Sequence, residues 1–142
     1  MKVYLIGSMR NPRIPEIAIE LRRLGFDVFD DWFSPGDQAD EKWQAYEQQR
    51  GRTYHEALKG YHARQVLAFD KQHLDETDCA VLALPAGKSG HLELGYIIGR
   101  GKPGYVLLNG EPDRFDIMLG LATAVFPSTK DLYAALQNLH CS

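Results

Sequence analysis

One uninterrupted apolar segment, residues 79–84 (CAVLAL), constrains the fold of this chain more than any other feature. A strand without polar residues is buried on both faces, and such strands lie in the middle of parallel sheets that helices cover on both sides. The segment is followed by a loop over residues 85–90 and by a helix predicted over residues 91–100. The chain therefore contains at least one strand–loop–helix unit of a layered α/β fold.

The same alternation of short apolar runs and helical spacing extends over the rest of the chain. Further strands are predicted over residues 3–6, 26–29, 105–108 and 122–126. Helices are predicted over residues 12–24, over 40–73 as two helices or as one broken near Gly51 or Gly60, around 115–119, and after Ser128, whose capping partner is Asp131. This order predicts a single domain over residues 1–142, an open, doubly wound, mostly parallel five-stranded sheet with helices on both faces, of the Rossmann or flavodoxin-like type.

Composition excludes several classes of function. The 142 residues include 16 basic and 19 acidic residues, a net charge of −3, and form no basic stripe, so no duplex nucleic-acid partner is expected. No apolar run approaches the roughly 20 residues of a membrane span. Met1 leads directly into a predicted strand, which is not the pattern of a signal peptide. We therefore expect a cytoplasmic protein without a membrane partner.

Cysteine and histidine residues give no indication of a metal site. Cys79 lies inside the apolar run and Cys141 near the end of the chain, a pattern of neither a disulfide framework nor a zinc site. The histidines also lack the spacing of metal ligands. The sequence therefore predicts no metal and no cofactor.

Two glycine-rich motifs imitate nucleotide-binding signatures in the wrong context. Residues 99–104 spell G-x-G-x-x-G, which in a dinucleotide-binding unit follows a strand and opens a helix. Here the motif closes a helix and precedes a strand, so it indicates a glycine-capped helix end. Residues 87–89 (GKS) resemble the end of a phosphate-binding loop, but Leu82 stands where the leading glycine belongs.

The turn at residues 87–90 is nevertheless a candidate ligand-binding site on physical grounds. A strand-to-helix turn presents free backbone N–H groups, and the side chains of Lys88 and Ser89 add donors. A monophosphate or a sugar hydroxyl suits such a turn, and a plain connection is the alternative interpretation. Ligands of open parallel sheets bind beyond the carboxyl ends of the strands, so the loops after residues 6, 29, 84 and 108 are the predicted site.

Glu93 is the candidate catalytic residue that follows the central strand. We expect it within the first turn or so of its helix, where the helix dipole favours an ionised carboxylate. A glutamate in that place also stabilises a helix without any catalytic role. Tyr4 lies on a predicted neighbouring strand, where its hydroxyl can orient a carboxylate, and Asp70 and the acidic residues at 75–78 are candidate acids.

These residues belong to segments that resemble the nucleoside 2-deoxyribosyltransferase family, which includes related 2′-deoxynucleoside 5′-phosphate N-hydrolases. The resemblance rests on residues 4–8 (YLIGS), on Asp70 with residues 78–82 (DCAVL), and on residues 92–96 (LELGY) followed by 101–103 (GKP). It covers most of the chain in order, while residues 33–68 match no motif of the family.

The resemblance implies cleavage of an N-glycosidic bond through a covalent sugar–enzyme intermediate. Glu93 would attack C1′ of a 2′-deoxyribose, as carboxylates do in retaining glycosidases. Tyr4 would hold and tune Glu93, and Asp70 would protonate the departing base. The sugar would then pass to another free base or to water. The substrate is thus expected to be a deoxynucleoside or a deoxynucleotide.

Two departures from the family pattern leave the substrate open. Transferases of the family carry an acidic residue about six positions before the nucleophile, where this chain has Gly87. Residues 7–10 (GSMR) are closer to the G-S-I-R of the nucleotide hydrolases, which contact a 5′-phosphate. Arg10 and Arg13 with Lys88 and Ser89 would then form a phosphate cradle, since Arg suits bidentate phosphate contact. A solvated surface charge is the alternative interpretation of Arg10.

Other polar residues complete the predicted substrate site. A base would stack on Trp32 and pair with Asp30, although a turn with an anchoring aromatic explains both residues as well. The segment around Asp116 resembles a part of the family that reaches into the site of a neighbouring subunit. The alternative interpretation of Asp116 is the N-cap of a helix. The predicted substrate-binding residues are Gly7, Ser8, Arg10, Asp30, Trp32, Gly87, Lys88, Ser89, Gly90 and Asp116.

Three functions are compatible with these residues. The first is a deoxyribosyltransferase, the second is a 2′-deoxynucleoside 5′-monophosphate N-hydrolase that uses water as the acceptor, and the third is a non-catalytic nucleotide-binding sensor module. The resemblance also implies a homo-oligomer, a dimer or larger. The aromatic residues of segment 40–62 are a candidate interface, because Trp and Tyr favour interfaces.

Overall fold

The computed structural model describes residues 1–33, 36 and 38–141. The strands are β1 (Lys2–Ile6), β2 (Asp27–Phe29), β3 (Cys79–Ala83), β4 (Gly104–Leu107) and β5 (Ala124–Phe126). The helices are α1 (Arg13–Arg23), α2 (Ala39–Gln49), α3 (Tyr54–Leu58), α4 (Tyr61–Glu76), α5 (Lys88–Gly99) and α6 (Thr129–Cys141), and short 3₁₀ helices cover Asp31–Phe33 and Ile117–Leu121.

The described strands form one parallel sheet in the order β2-β1-β3-β4-β5. This confirms the predicted open α/β sheet and the central place of β3, whose five residues are all buried. The chain winds outward in both directions from the pair β1 and β3, where Tyr4 is in register with Ala80. A crevice therefore opens beyond the carboxyl ends of these two strands, where ligands of such sheets bind.

Helices cover both faces of the sheet, as predicted. Because side chains of a strand alternate between its faces, neighbouring residues of β1 enter different layers of the core. One layer combines β1, β3 and β4 with α1 and α6 through Leu5, Ile14, Leu21, Val81, Leu132 and Leu136. The opposite layer combines the same strands with α4 and α5 through Tyr4, Phe29, Leu74, Leu82, Leu94 and Ile97. Tyr4 therefore faces the two helices that carry the candidate carboxylates.

The polar segment after β2 contains three helices between residues 38 and 76, more than the two that were predicted. Both predicted break points are used. Gly51 has a φ of +73°, which favours glycine, and Gly60 is the N-cap of α4. Between them, Thr53 and Glu56 form a reciprocal capping box that begins α3.

The N-terminus of α5 lies three residues earlier than predicted. The helix begins at Lys88 because the extended backbone of Gly87 ends the loop there, so Lys88 and Ser89 belong to the first helical turn. The C-terminus is as predicted. α5 ends at Gly99 and Gly101 adopts a φ of +79°, so the G-x-G-x-x-G sequence is a capped helix end.

The C-terminal part of the chain also follows the prediction closely. β5 begins two residues later than expected, after the 3₁₀ helix Ile117–Leu121. The Oγ of Ser128 accepts a hydrogen bond of 3.3 Å from the backbone N–H of Asp131, which is the predicted cap of α6. Within the described ranges no helix has both the length and the apolar character needed to cross a membrane.

Candidate active site

The three predicted catalytic residues lie together on the layer between the sheet and helices α4 and α5. Tyr4 projects from β1, Asp70 from α4 and Glu93 from α5. Glu93 interacts electrostatically with both of the other side chains, and Asp70 also acts on Tyr4. The strand order produces this meeting, because β1 and β3 are neighbours and α5 follows β3 directly.

Tyr4 places a polar atom deep in this layer. The residue is fully buried, its ring packs 4.9 Å from that of Phe29, and its hydroxyl has no hydrogen-bond partner of ordinary geometry among the described residues. Its interaction with Glu93 is therefore a polar contact that lacks the geometry of an ordinary hydrogen bond. Burial, and then the charge of Glu93, raise the pKa of Tyr4 far above its usual value. The hydroxyl thus stays protonated and is available as a donor.

Glu93 is a largely buried carboxyl group. Burial is the main cause that raises its pKa to about 7, the negative charge of Asp70 adds to the shift, and the Tyr4 hydroxyl opposes it. Glu93 is the sixth residue of α5, so the predicted place in the first turn is wrong. The helix dipole acts weakly beyond the first turn, so the state of Glu93 is governed by burial and by its two neighbours.

Asp70, the predicted general acid, is a carboxyl group in a partly buried environment. The carboxyl group is half-buried, burial raises its pKa, and the imidazole of His73 one turn later opposes the shift. A raised pKa favours the protonated form, which is the form that a general acid uses. The negative charge of Asp70 opposes the ionisation of Glu93, so the two carboxyl groups resist ionising together.

Glycines allow the two predicted phosphate-binding loops to approach the sheet closely. A Cβ atom on Gly7 would lie 2.6 Å from Cδ1 of Ile14, and one on Gly90 would lie 3.0 Å from Cγ2 of Ile6. Both glycines follow strands whose carboxyl ends form the crevice. No larger residue fits at Gly7 without displacing its neighbours.

The side chains predicted to bind phosphate lie near the carboxyl edge of the sheet, and they differ in exposure and in their partners. Lys88 and Ser89 are exposed in the first turn of α5, and Ser8 uses its Oγ to accept a 3.1 Å hydrogen bond from the N–H of Arg10. The guanidinium of Arg10 forms an exposed ion pair of 2.9 Å with Glu41 on α2. Exposed pairs of this kind contribute at most about 1 kcal/mol, so this pair exchanges easily for another anion.

Asp30 and Trp32, the predicted base-binding residues, both form bonds within the fold. The indole Nε1 of Trp32 donates a 2.6 Å hydrogen bond to the carbonyl oxygen of Leu5, and Asp30 pairs with Arg22 at 2.7 Å. These contacts fit the alternative interpretation of an anchoring aromatic after a turn. Base binding at these positions stays a prediction.

Asp116 and Gly87 lie beside α5, on a side of the helix away from Glu93. Asp116 accepts a 2.9 Å hydrogen bond from the N–H of Met118 and so caps its 3₁₀ helix, as the alternative interpretation holds. Together with Gly87 and Lys88 it lines an open groove of about 820 Å³ between α5 and that 3₁₀ helix. Glu93 is not among the residues that line this groove.

Asn11 contributes to the site in a way that the sequence did not indicate. Its side chain is almost completely buried and its Nδ2 donates hydrogen bonds to the carbonyl oxygens of Ala83 and Leu84, at 3.2 and 3.4 Å. Arg13, a predicted part of the phosphate cradle, donates hydrogen bonds to the carbonyls of Leu84 and Leu108. These side chains fix the loops after β3 and β4. Since their partners are backbone atoms far along the chain, no residue pattern could have revealed them.

Within residues 1–33, 36 and 38–141 there is no group of three or more His, Cys, Asp or Glu residues that could hold an ion.

Comparisons with known proteins agree with the fold. No protein-family model matches the sequence, and no curated protein matches it. Among solved structures, the 2-deoxyribosyltransferase of Bacillus psychrosaccharolyticus matches with a TM-score of 0.61 and 20% identity, over 93% of this chain and 90% of that one. The CMP N-glycosidase BcmB of Clostridium botulinum matches with a TM-score of 0.57 and 17% identity, over 96% and 98% of the two chains. The fold implied by the sequence resemblance is confirmed over almost the full length.

Proposed function

We propose that this protein is an enzyme that cleaves the N-glycosidic bond of 2′-deoxyribonucleosides or of their 5′-monophosphates and transfers the sugar to an acceptor base. The observation that carries the proposal is the meeting of Tyr4, Asp70 and Glu93 beside the crevice between β1 and β3. The 2-deoxyribosyltransferase and the CMP N-glycosidase of similar fold support this chemistry, because each acts on a nucleoside or nucleotide.

The first half-reaction forms a sugar ester. The ionised carboxylate of Glu93 attacks C1′, the C1′–N bond breaks with its electron pair leaving on the base, and Asp70 gives its proton to that base. The Tyr4 hydroxyl donates to the Glu93 carboxylate and tunes its nucleophilicity. A 2′-deoxy sugar lacks the electron-withdrawing 2′-hydroxyl group. Its absence lowers the energy of the positive charge that develops at C1′ in the transition state.

The second half-reaction reverses the roles. Asp70, now ionised, takes a proton from the incoming base or from water, and the acceptor atom attacks C1′ while the ester bond to Glu93 breaks. Two displacements at C1′ retain its configuration, as in retaining glycosidases. The acceptor alone distinguishes a transferase from a hydrolase.

The active form of the enzyme needs an ionised Glu93 and a protonated Asp70. A Glu93 pKa of about 7 leaves about half of the free enzyme with this carboxyl protonated near neutrality. Burial raises the pKa of Asp70, which favours its protonated form. Activity is therefore expected to rise with pH through about 7 as Glu93 ionises, and to fall at the pH at which Asp70 loses its proton.

A second candidate function, hydrolysis of deoxynucleoside 5′-monophosphates, is favoured by the exposed side chains at the N-terminus of α5. Lys88 and Ser89 are free to face solvent there, and free N–H groups at a helix N-terminus attract phosphate. The nucleotide CMP in the name of the N-glycosidase is consistent with this candidate.

We also propose that the protein is a homo-oligomer. Leu92, Ile117 and Leu121 expose 76%, 85% and 68% of their surface around the groove that Asp116 lines. A cluster of such side chains is typical of a protein interface. In segment 40–62, Tyr46 and Tyr54 are also exposed, which keeps the predicted interface open. Light scattering at micromolar concentration would contradict both interfaces if it found a monomer.

The test is to incubate the protein with each deoxynucleoside and deoxynucleoside monophosphate, with and without a different free base, and to separate the products by chromatography. Ribonucleosides and the isosteric Glu93→Gln variant serve as controls. A new nucleoside that forms only with added base establishes the transferase. Free base and deoxyribose 5-phosphate from the monophosphates establish the hydrolase. If no substrate turns over but nucleotides still bind, the sensor module is correct and the catalytic proposal is wrong.

A further inference from the structure

Asp75, near the C-terminus of α4, is the centre of a polar node that joins α4 to α5. The hydroxyl of Tyr96 on α5 donates a short hydrogen bond to its carboxylate. Lys71 pairs with the same carboxylate at 3.0 Å and Arg100 at 3.9 Å. Lys71 and Arg100 also lie over the Tyr96 ring, at 5.7 and 5.8 Å from its centroid. These contacts are charge-assisted and converge on one point between the two helices.

Lys102 binds the same end of α4 from the loop after α5. Its Nζ donates to the backbone carbonyl oxygens of Asp75 and Leu74, at 2.5 and 3.5 Å. Carbonyl groups at a helix C-terminus have no partner within the helix, and a positive charge stabilises them. Tyr96 and Lys102 therefore reach the same target from both sides of the C-terminus of α5.

The proposed chemistry leaves Tyr96 and Lys102 without a role, although both belong to the sequence blocks LELGY and GKP. Tyr96 lies three residues after Glu93, so both side chains face the same flank of α5. Asp70 and Asp75 lie on α4 within two turns of each other. The distance between the two carboxyl groups that must act together is therefore set by how α4 and α5 pack.

We propose that Tyr96, through its hydrogen bond to Asp75, is a positioning residue that holds Glu93 at the distance from Asp70 that the reaction needs. The inference rests on the proposed function of Glu93 and Asp70. Tyr96 itself acts from a distance, through the packing of the helices, and does not touch the reacting atoms.

The first test replaces Tyr96 by Phe, which removes the hydroxyl and keeps the ring under the two cations. The turnover number should fall about tenfold, because a displacement of about 1 Å at a reacting group can cost up to about 10²-fold in rate. Tyr133→Phe is the matched control, since Tyr133 packs against the opposite core layer on α6. Loss of turnover in Tyr133→Phe equal to that in Tyr96→Phe would overturn the proposal.

A second pair of variants tests the hydrogen bond itself. Asp75→Asn keeps an oxygen that accepts from Tyr96 and should retain most of the turnover, whereas Asp75→Ala should lose as much as Tyr96→Phe. The double variant Tyr96→Phe, Asp75→Ala should lose no more than Asp75→Ala alone, which removes the bond from Tyr96 together with the pairs to Lys71 and Arg100. Additive losses would overturn the proposal.

The third test needs no substrate. Carboxyl resonances from ¹³C-labelled protein, with Glu93→Gln for assignment, report the titration of Glu93 directly. If Tyr96→Phe lets the helices separate, repulsion by Asp70 weakens and water enters, so the pKa of Glu93 falls from about 7. A reduced stability alone would not move this midpoint, and an unchanged midpoint would overturn the proposal. Wild-type protein without activity on any substrate would instead refute the proposed function, and the titration would still report on the node.

Discussion

Replacing Tyr4 by Phe is expected to make the protein more stable and less active. The hydroxyl group is buried and lacks a hydrogen bond of ordinary geometry among the described residues, so folding removes it from water without full compensation. Such a group costs about 1–3 kcal/mol. The Phe ring keeps the contact with Phe29 at 4.9 Å, so the variant removes this cost and little else.

The magnitude follows from the partial contact with Glu93. Because this contact recovers part of the lost hydration, we expect a gain of roughly 1 kcal/mol in the free energy of unfolding. For a domain of 142 residues this corresponds to a rise of about 3–5 °C in Tm. Urea denaturation and thermal unfolding followed by circular dichroism measure both quantities.

The effect on catalysis has a defined sign as well. The Tyr4 hydroxyl lowers the pKa of Glu93, so its removal should raise that pKa above about 7. The acidic limb of the pH–rate profile would then move to higher pH, and turnover at pH 7 would fall. A variant that is less stable than the wild type, or one whose acidic limb stays in place, would refute the reasoning about this hydroxyl.

Three further predictions follow from the same side chains. Glu93 has a pKa of about 7 in the folded state against an ordinary pKa of 4.5, so its contribution to stability is complete below pH 4.5 and is lost as pH rises to about 7. Glu93→Gln should remove most of this loss and raise the free energy of unfolding at pH 8 by roughly 2–3 kcal/mol relative to wild type. Urea denaturation across pH measures the difference, and an equal pH dependence of stability in both proteins would contradict the prediction. Asp70→Asn should lower turnover about 10²- to 10⁴-fold and abolish the alkaline limb of the pH–rate profile, which steady-state kinetics across pH will test. Arg10→Met should raise KM for monophosphates about tenfold more than KM for nucleosides if Arg10 leaves Glu41 to bind phosphate, and equal changes in KM would assign Arg10 to the surface pair alone.

The sequence predicted the parts of the fold that depend on local patterns. The apolar run that became β3 and the helical spacing of α1 are such patterns, because burial on a strand or a helix repeats with a fixed period. The cap at Gly101 could also be predicted, since a φ of +79° is accessible to glycine at little cost. The N-terminus of α5 could not, because Gly87 makes no side-chain cap that would mark it.

The roles of the candidate site residues were predicted from the resemblance to a family, and not from a local pattern. In the structure Tyr4 and Glu93 meet because β1 lies beside β3 and α5 follows β3, and Asp70 joins them from α4. The details that set their chemistry are different in kind. Burial by distant parts of the chain raises the pKa of Glu93. The hydrogen bonds of Asn11 and Trp32 likewise reach carbonyl oxygens that are distant in sequence.

Such bonds leave no residue pattern because every residue carries the same carbonyl oxygen. A donor such as Asn11 can find its partner at any position that the fold brings near, and residue type at that position is irrelevant. The node at Asp75 is partly visible in the sequence and partly not. Tyr96 and Lys102 stand in recognisable blocks, but only the packing of α4 against α5 shows that both bind at Asp75. The residues of a site that can be named from sequence are thus those whose chemistry is unusual, and the residues that hold them in place need the structure.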